Sequence, residues 1–304
     1  MAIRSSGIRA PRSQAVQGVL LAALAMWLFS VQDAFFKAMS EDYAVVAILF
    51  LRSAGTLPLA AALVWREGGR EGFRSRHLRL QLLRGVLLFL MFLGYYLALT
   101  RLPLATAVSL VFSAPIMTTL LSAALLKEPI GVHRWGAVLV GFLGVLVMVR
   151  PGGGAFAWPA LLCLMASFCY ALSMVMTRQL GAVESLGRLV FYPNLVFFLG
   201  SAALLPANWT PVPLEHAGLI VAFGLWTIVA HLAITQAYRI APPPLLAPFD
   251  YTTLVWALIW GWIFWNEWPG WITLAGALVV VAAGLYVVYR EARLGSDKAQ
   301  AQIR

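Results

Sequence analysis

Long apolar runs alternate along the chain with short polar joints. A hydrocarbon core about 30 Å thick takes roughly 20 helical residues to cross. Ten runs meet that length, at 16–38, 43–65, 80–100, 103–126, 132–149, 156–178, 186–205, 215–238, 244–266 and 270–289. The joints are so short that consecutive spans must form antiparallel hairpins. The pattern predicts an all-α polytopic membrane protein, with residues 1–304 as one transmembrane domain. The first run follows Arg4, Arg9 and Arg12 and resembles a secretory signal with Ala23-Leu24-Ala25 as its cleavage site. Its apolar stretch continues to Phe36, which is too long for such a signal, so it is read as a retained first helix.

Composition removes the other classes. Of the 304 residues 62% are apolar and 11% charged, which excludes both a disordered chain and an ordinary water-soluble enzyme. The 22 Lys and Arg against 12 Asp and Glu give a net charge of +10, a balance that raises nucleic acid as a partner. Mapping the charges removes that reading. With the N-terminus inside, 18 basic residues fall in inner joints, and only Lys37, Arg101 and Arg150 fall outside. The expected location is a bacterial inner membrane with both termini cytoplasmic. Trp65, Trp135, Trp158, Trp209, Trp268 and Trp271 lie at span ends, as interfacial anchors do. Cys163 and Cys169 share one span on different faces, so neither a disulfide nor a metal pair is expected.

The chain also repeats weakly on itself. Gly85, Ala98, Pro103, Glu128 and Gly131 recur at an offset of 139 as Gly224, Ala237, Pro242, Glu267 and Gly270. Phe50 and Lys37 meet Phe191 and Arg178 at an offset of 141. Five spans per half, residues 15–149 and 156–290, is an odd number, so the halves must be inverted across the membrane. Inverted repeats around a midplane site are an organisation of secondary transporters.

Two segments carry a resemblance: Ala98-Leu-Thr-Arg-Leu-Pro103 through Lys127-Glu128-Pro129-Ile130-Gly131, and Ala237-Tyr-Arg-Ile-Ala-Pro242 through Asn266-Glu267-Trp268-Pro269-Gly270. Together with Phe50-Leu51-Arg52 they resemble the drug/metabolite transporter superfamily, and within it the ten-helix EamA-type exporters. The second half departs where Leu254 replaces Pro115 and Pro193-Asn194 replaces Arg52-Ser53. Among such exporters the chain looks most like the YddG type. That likeness implies export of small organic metabolites, aromatic amino acids included, by alternating access.

Charge inside hydrocarbon is costly, so each intramembrane ionisable group is a functional candidate. Asp33 and Arg52 lie at similar depth and are expected either to pair with one another or to face substrate. Polar stripes run along four spans: Trp27, Ser30 and Asp33; Thr106, Ser109 and Ser113; Ser167, Tyr170 and Thr177; Thr227, His231 and Thr235. Each Ser or Thr read singly is explained by bonding between helices; four stripes together suggest a shared polar cavity. Tyr95, Tyr96 and Tyr251 add flat rings suited to a planar ligand, and Asn194 adds an amide. Pro115 and Pro193 within spans, and Pro242 and Pro248 at the start of the ninth, are the expected hinges.

No clustered aspartates, Glu-His motif or Ser-His-Asp set points to an enzyme, and no P-loop points to ATP. No cofactor or metal is implied. Asp33, His231 and Asp250 are the candidates for proton coupling, with uniport equally compatible. The alternative to an amino acid exporter is a channel-like facilitator or a multidrug exporter of amphipathic cations. Partners reduce to a small-molecule substrate and the lipid bilayer, with no nucleic acid and a monomer as working unit.

Overall fold

The computed structural model describes residues 12–114, 117, 120, 121, 125, 132–149, 158–181, 183–240, 249 and 251–301. Ten helices occupy them: α1 Arg12–Asp42, α2 Val45–Gly72, α3 Leu78–Leu99, α4 Leu104–Val111, α5 Val132–Val149, α6 Trp158–Gly181, α7 Leu186–Asn208, α8 Leu214–Ile240, α9 Thr252–Trp265 and α10 Trp271–Ala301. Each falls on one of the ten apolar runs. Six of them, α1, α2, α3, α6, α7 and α8, are long and apolar enough to cross a membrane by themselves. The protein is an all-α polytopic membrane bundle.

Local chemistry sets the helix ends. Ser185 accepts the Arg188 N–H and opens α7. Pro103 precedes α4 at its N-cap. Asn266, at φ 49°, takes the left-handed turn that ends α9. In α2, Gly68 and Gly69 leave helical geometry, with Gly69 at φ 55°, so the straight part of the helix stops just past Trp65. All six expected anchor tryptophans are exposed at or near helix ends.

Packing between the halves is symmetric. The contact of α1 on α8 is mirrored by α6 on α3, α2 on α8 by α7 on α3, and α1 on α9 by α6 on α4. The remaining pairs, α2 with α7, α4 with α9 and α5 with α10, join equivalent helices. At this axis the ring of Phe112 lies 5.1 Å from that of Tyr251, its counterpart in the repeat. With an odd number of helices per half, the two halves are inverted.

Span four is discontinuous. Helix α4 stops at Val111, and Phe112 and Ser113 form a turn. Ser167 of α6 donates to the Cys163 carbonyl at 2.9 Å and lies 3.5 and 3.4 Å from the carbonyls of Leu110 and Val111.

Two glycines set how closely the repeats approach. A Cβ on Gly55 of α2 would lie 2.4 Å from the Val221 carbonyl oxygen, and one on Gly224 of α8 2.5 Å from the Arg52 carbonyl oxygen. The two backbones therefore touch, and neither contact has a flexible side chain that could give way. Gly224→Ala is expected to cost about 1–3 kcal/mol through overpacking and to lower the apparent Tm in detergent. Gly218→Ala, whose Cβ meets nothing within 4 Å, is the control and should leave Tm level or raise it. Equal Tm values for the two variants would dismiss this crossing as a constraint.

Candidate functional site

A hydrogen-bonded chain of side chains crosses the middle of the bundle. Thr227 of α8 donates to Gln32 Oε1 at 3.0 Å, and Gln32 Nε2 donates to Tyr96 Oη at 2.9 Å. Tyr95 donates to Asp33 Oδ2 at 3.0 Å, and Tyr96 lies 3.5 Å from Asp33 Oδ1, a marginal bond. Gln32 is buried while Asp33 keeps partial access. Residues Gln32 and Asp33 are adjacent on α1 and reach α8 and α3 respectively, so one helix ties three together. The Phe36 ring stacks on Tyr96 at 3.5 Å and fixes that phenol.

Arg52 does not form the direct pair expected with Asp33. It lies within electrostatic reach of Asp33 and Tyr96, but its guanidinium carbon sits 4.9 Å over the Phe92 ring and 5.6 Å over Phe197. Its Nε and Nη1 have no hydrogen-bond partner among the described residues, although the residue is only 4% exposed. One turn on, Thr56 returns to the Arg52 and Ser53 carbonyls and donates to Asn194 Oδ1 at 3.0 Å, which links α2 to α7.

Aromatic rings border this region. Trp226 and Trp27 stand 5.8 Å apart, and the Trp226 indole donates to the Leu28 carbonyl. Ser30 accepts from Trp260 Nε1 at 3.1 Å and donates to the Trp27 carbonyl. His231 has an accessible ring, set edge-on to Phe29, and its Nδ1 lies 2.8 Å from the Thr227 carbonyl. A carbonyl only accepts, so Nδ1 carries the proton.

The structure therefore gathers Trp27, Ser30, Asp33, Arg52, Tyr95, Tyr96, Asn194, Thr227 and His231 between α1, α2, α3, α7 and α8. Other candidates lie apart from that group. Ser109 spends its hydroxyl on the Ala105 carbonyl at 2.7 Å, while the Ser113 hydroxyl is buried at the α4 break with no partner. Half-buried Tyr170 lies on α6, and Tyr251 packs on Phe112. Pro193 is buried within a continuous α7, its Cα close to Gly85. The side chain of Thr235, together with Pro115, Pro242, Pro248 and Asp250, lies outside the described residues. An apolar cleft of about 420 Å³ between α9 and α10, lined by Leu254, Trp271 and Leu278, includes none of the polar candidates. Among the described residues no cluster of His, Cys, Asp and Glu could hold a metal ion, and Cys163 and Cys169 are free, buried thiols.

Lys37 was expected as an outer surface charge and is instead buried in an ion pair. Its Nζ lies 2.7 and 2.6 Å from the two carboxylate oxygens of Glu267 and also donates to the Leu102 carbonyl at 3.3 Å. Glu267 accepts the Leu104 N–H, the first of α4, at 3.1 Å. A carboxylate there complements both the unfilled N–H group and the helix dipole. The Lys37 ammonium lies 5.0 Å over Trp265, whose indole donates to Glu41. Together α1, the α3–α4 joint and the end of α9 are fastened at one end of the bundle.

The opposite end is fastened differently. Glu67 of α2 accepts the Gly187 N–H with both oxygens at 3.0 Å, capping α7. Arg188 bonds Glu184 at 3.0 Å and the Gly72 carbonyl at 2.7 Å, while Tyr192 donates to the Phe73 carbonyl. Burial pushes the Glu184 carboxyl up, but bonds from Ser75 and Arg188 outweigh it and hold the group below its ordinary range. Arg84, mapped as an inner surface charge, is buried and donates to Thr177 Oγ1 at 3.0 Å and to the Leu189 carbonyl.

Known proteins share this organisation. The chain is 33% identical over 274 residues to the pseudopaline exporter of Pseudomonas aeruginosa, an alignment covering 88% of this chain and 94% of that one. It is 28% identical to the S-adenosylmethionine uptake transporter of Rickettsia prowazekii over 77% of this chain and 80% of that one. With the riboflavin transporter of Rhizobium johnstonii it shares 26% over 92% and 94%. A crystal structure 19% identical in sequence superposes with a TM-score of 0.65 over 93% of this chain and 99% of its own, and shares the fold. The EamA-like transporter family matches residues 16–150 and again 157–290. Two copies of that unit in one ten-helix bundle make the chain a member of the EamA-like transporter family, a membrane transporter and not an enzyme.

Proposed function

We propose that the chain is a secondary transporter of the bacterial inner membrane that exports small organic metabolites, amino acids with aromatic ones among them. Transport runs by alternating access within one transmembrane unit, whose repeats span residues 15–149 and 156–290. The carrying observation is the mid-bundle set of Asp33, Arg52, Tyr95, Tyr96 and Thr227, drawn from both repeats and bordered by Trp27, Trp226 and Trp260. Such ionisable groups inside a membrane bundle mark a substrate path. The relatives' names put small organic molecules on this fold. They include both an exporter and an uptake protein, so export rests on the resemblance to EamA-type exporters.

The Lys37–Glu267 pair serves as the latch of one gate. With the N-terminus inside, as 18 inner against 3 outer basic residues favour, its end is periplasmic. The repeat register supplies a counterpart: Lys37 corresponds to Arg178 at an offset of 141, and Glu267 to Glu128 at 139. Glu128 and the Arg178 side chain lie outside the described residues.

Purified protein in liposomes should show saturable flux of labelled aromatic amino acids. No flux of any amino acid would remove the substrate assignment. An imposed pH gradient that leaves the initial rate unchanged would remove proton coupling through Asp33 or His231.

Loss of the Lys37 charge leaves Glu267 half-buried and unpaired, which costs roughly 3–5 kcal/mol in a buried setting. Lys37→Met should lower Tm, and Lys37→Met with Glu267→Gln should recover part of the loss. Glu267→Gln alone, with Cys163 and Cys169 replaced by Ala, should raise labelling of Ser30→Cys by an impermeant maleimide added outside. Unaltered labelling and unaltered transport together would make the pair purely structural.

A further inference from the structure

We infer that Arg52 is the anion-binding group of the transport site, presenting the edge of its guanidinium to a carboxylate on the substrate. This rests on the transport reading above. The argument begins from an imbalance at the side chain. Arg52 is 4% exposed, and among the described residues no carboxylate lies within ion-pair distance of it and both Nε and Nη1 are buried without an acceptor. A buried charge left in that condition is strongly unfavourable, and guanidinium cannot shed its proton to escape.

The geometry says which part of the group is held and which part is open. Phe92 and Phe197 lie 4.9 and 5.6 Å from the guanidinium carbon and hold the cation through their ring quadrupoles. Phe197 is itself seated edge-on to both Phe89 and Phe92. These ring contacts are not hydrogen bonds and leave Nε–H and Nη1–H unused. Nε–H and an adjacent Nη–H form a fork that matches the two oxygens of a carboxylate. The Arg52 backbone is fixed as well, since its carbonyl oxygen abuts Gly224.

Asp33 supplies the complementary arm. It is half-buried and held by Tyr95 and Tyr96, and Tyr96 in turn touches Phe92 at 5.6 Å between ring centres. One protein cation and one protein anion, each fixed by aromatic neighbours and not neutralised by the other, suit a ligand with a carboxylate and an ammonium group. Loading such a zwitterion leaves the buried site electrically neutral. An amphipathic monocation would meet Asp33 but leave Arg52 without its anion, which separates this reading from a multidrug exporter of cations.

The test compares L-phenylalanine with L-phenylalaninamide and, for binding alone, 3-phenylpropionate with 3-phenylpropanamide. Wild-type protein in liposomes should carry phenylalanine at least about tenfold faster than its amide, as loss of a charge-assisted bond requires. Arg52→Gln should raise KM for phenylalanine by about the same factor and narrow the preference over the amide. Arg52→Lys keeps the charge without the fork and should fall between. The wild-type comparison stands even if Arg52→Gln fails to fold. In detergent, 3-phenylpropionate should raise Tm and the propanamide should not. Equal flux of phenylalanine and its amide, or an unchanged KM in Arg52→Gln, overturns the carboxylate assignment and leaves transport standing. Stabilisation by the carboxylate without flux of any amino acid does the reverse: Arg52 binds anions, and the transport reading falls.

Discussion

Direct backbone contact between α2 and α8 is the constraint on which the rest of the bundle depends. Gly55 meets the Val221 carbonyl and Gly224 meets the Arg52 carbonyl, so the helices approach as closely as main chains allow. Apolar side chains supply no hydrophobic drive between helices in lipid, and close approach of small residues is what replaces it. The symmetric crossing of α3 and α7 uses Gly85, the repeat partner of Gly224, against Pro193 and Val196. The position of Arg52 in one repeat is held by Pro193 in the other. The same frame thus carries a buried cation on one side and an imino acid on the other.

Three buried cations show how differently one environment is managed. Lys37 is answered by a carboxylate at 2.6 Å together with a carbonyl and an indole face. Arg84 is answered by neutral acceptors, Thr177 and the Leu189 carbonyl, in the part of α3 nearest the loops. Among the described residues Arg52 alone of the three has only aromatic faces. Ring quadrupoles offset part of the desolvation of a guanidinium but do not satisfy its N–H groups. Lys37 is fully answered, Arg84 keeps only its Nε without a partner, and Arg52 keeps both Nε and Nη1 without one.

Ten helices and their order were legible in the sequence because span length and short joints leave a bilayer protein few alternatives. Helix α7 begins at the expected residue, Leu186. What escaped was pairing over long separations. Lys37 and Glu267 are 230 residues apart, and only the folded repeat brings a charge counted as a topological marker against a helix end. Gln32 escaped because it is uncharged and the search was for ionisable groups. Asp33 and Arg52 were singled out by their depth, yet depth alone could not tell that Tyr95 and Tyr96 would take the carboxylate while Phe92 and Phe197 took the cation.

The two kinds of contact differ in how readily they can be undone. At the α2–α8 crossing, carbonyl oxygens lie where a single methyl would not fit, and separating the helices would expose backbone to lipid or open a void. At the Lys37 end, α1, α4 and α9 are joined through an ammonium, a carboxylate and one helix-terminal N–H. Water can replace each of those partners at modest net cost, because charged groups recover hydration as they part. Helix α4 is also short, ending at Val111 with a turn at Phe112 and Ser113. Rearrangement is therefore cheapest where α4 and α9 meet the end of α1 and most costly at the glycine crossing. Arg52 and Asp33 lie beside the stiff element, so a bound zwitterion would be held on fixed groups while access to it changes at the ends.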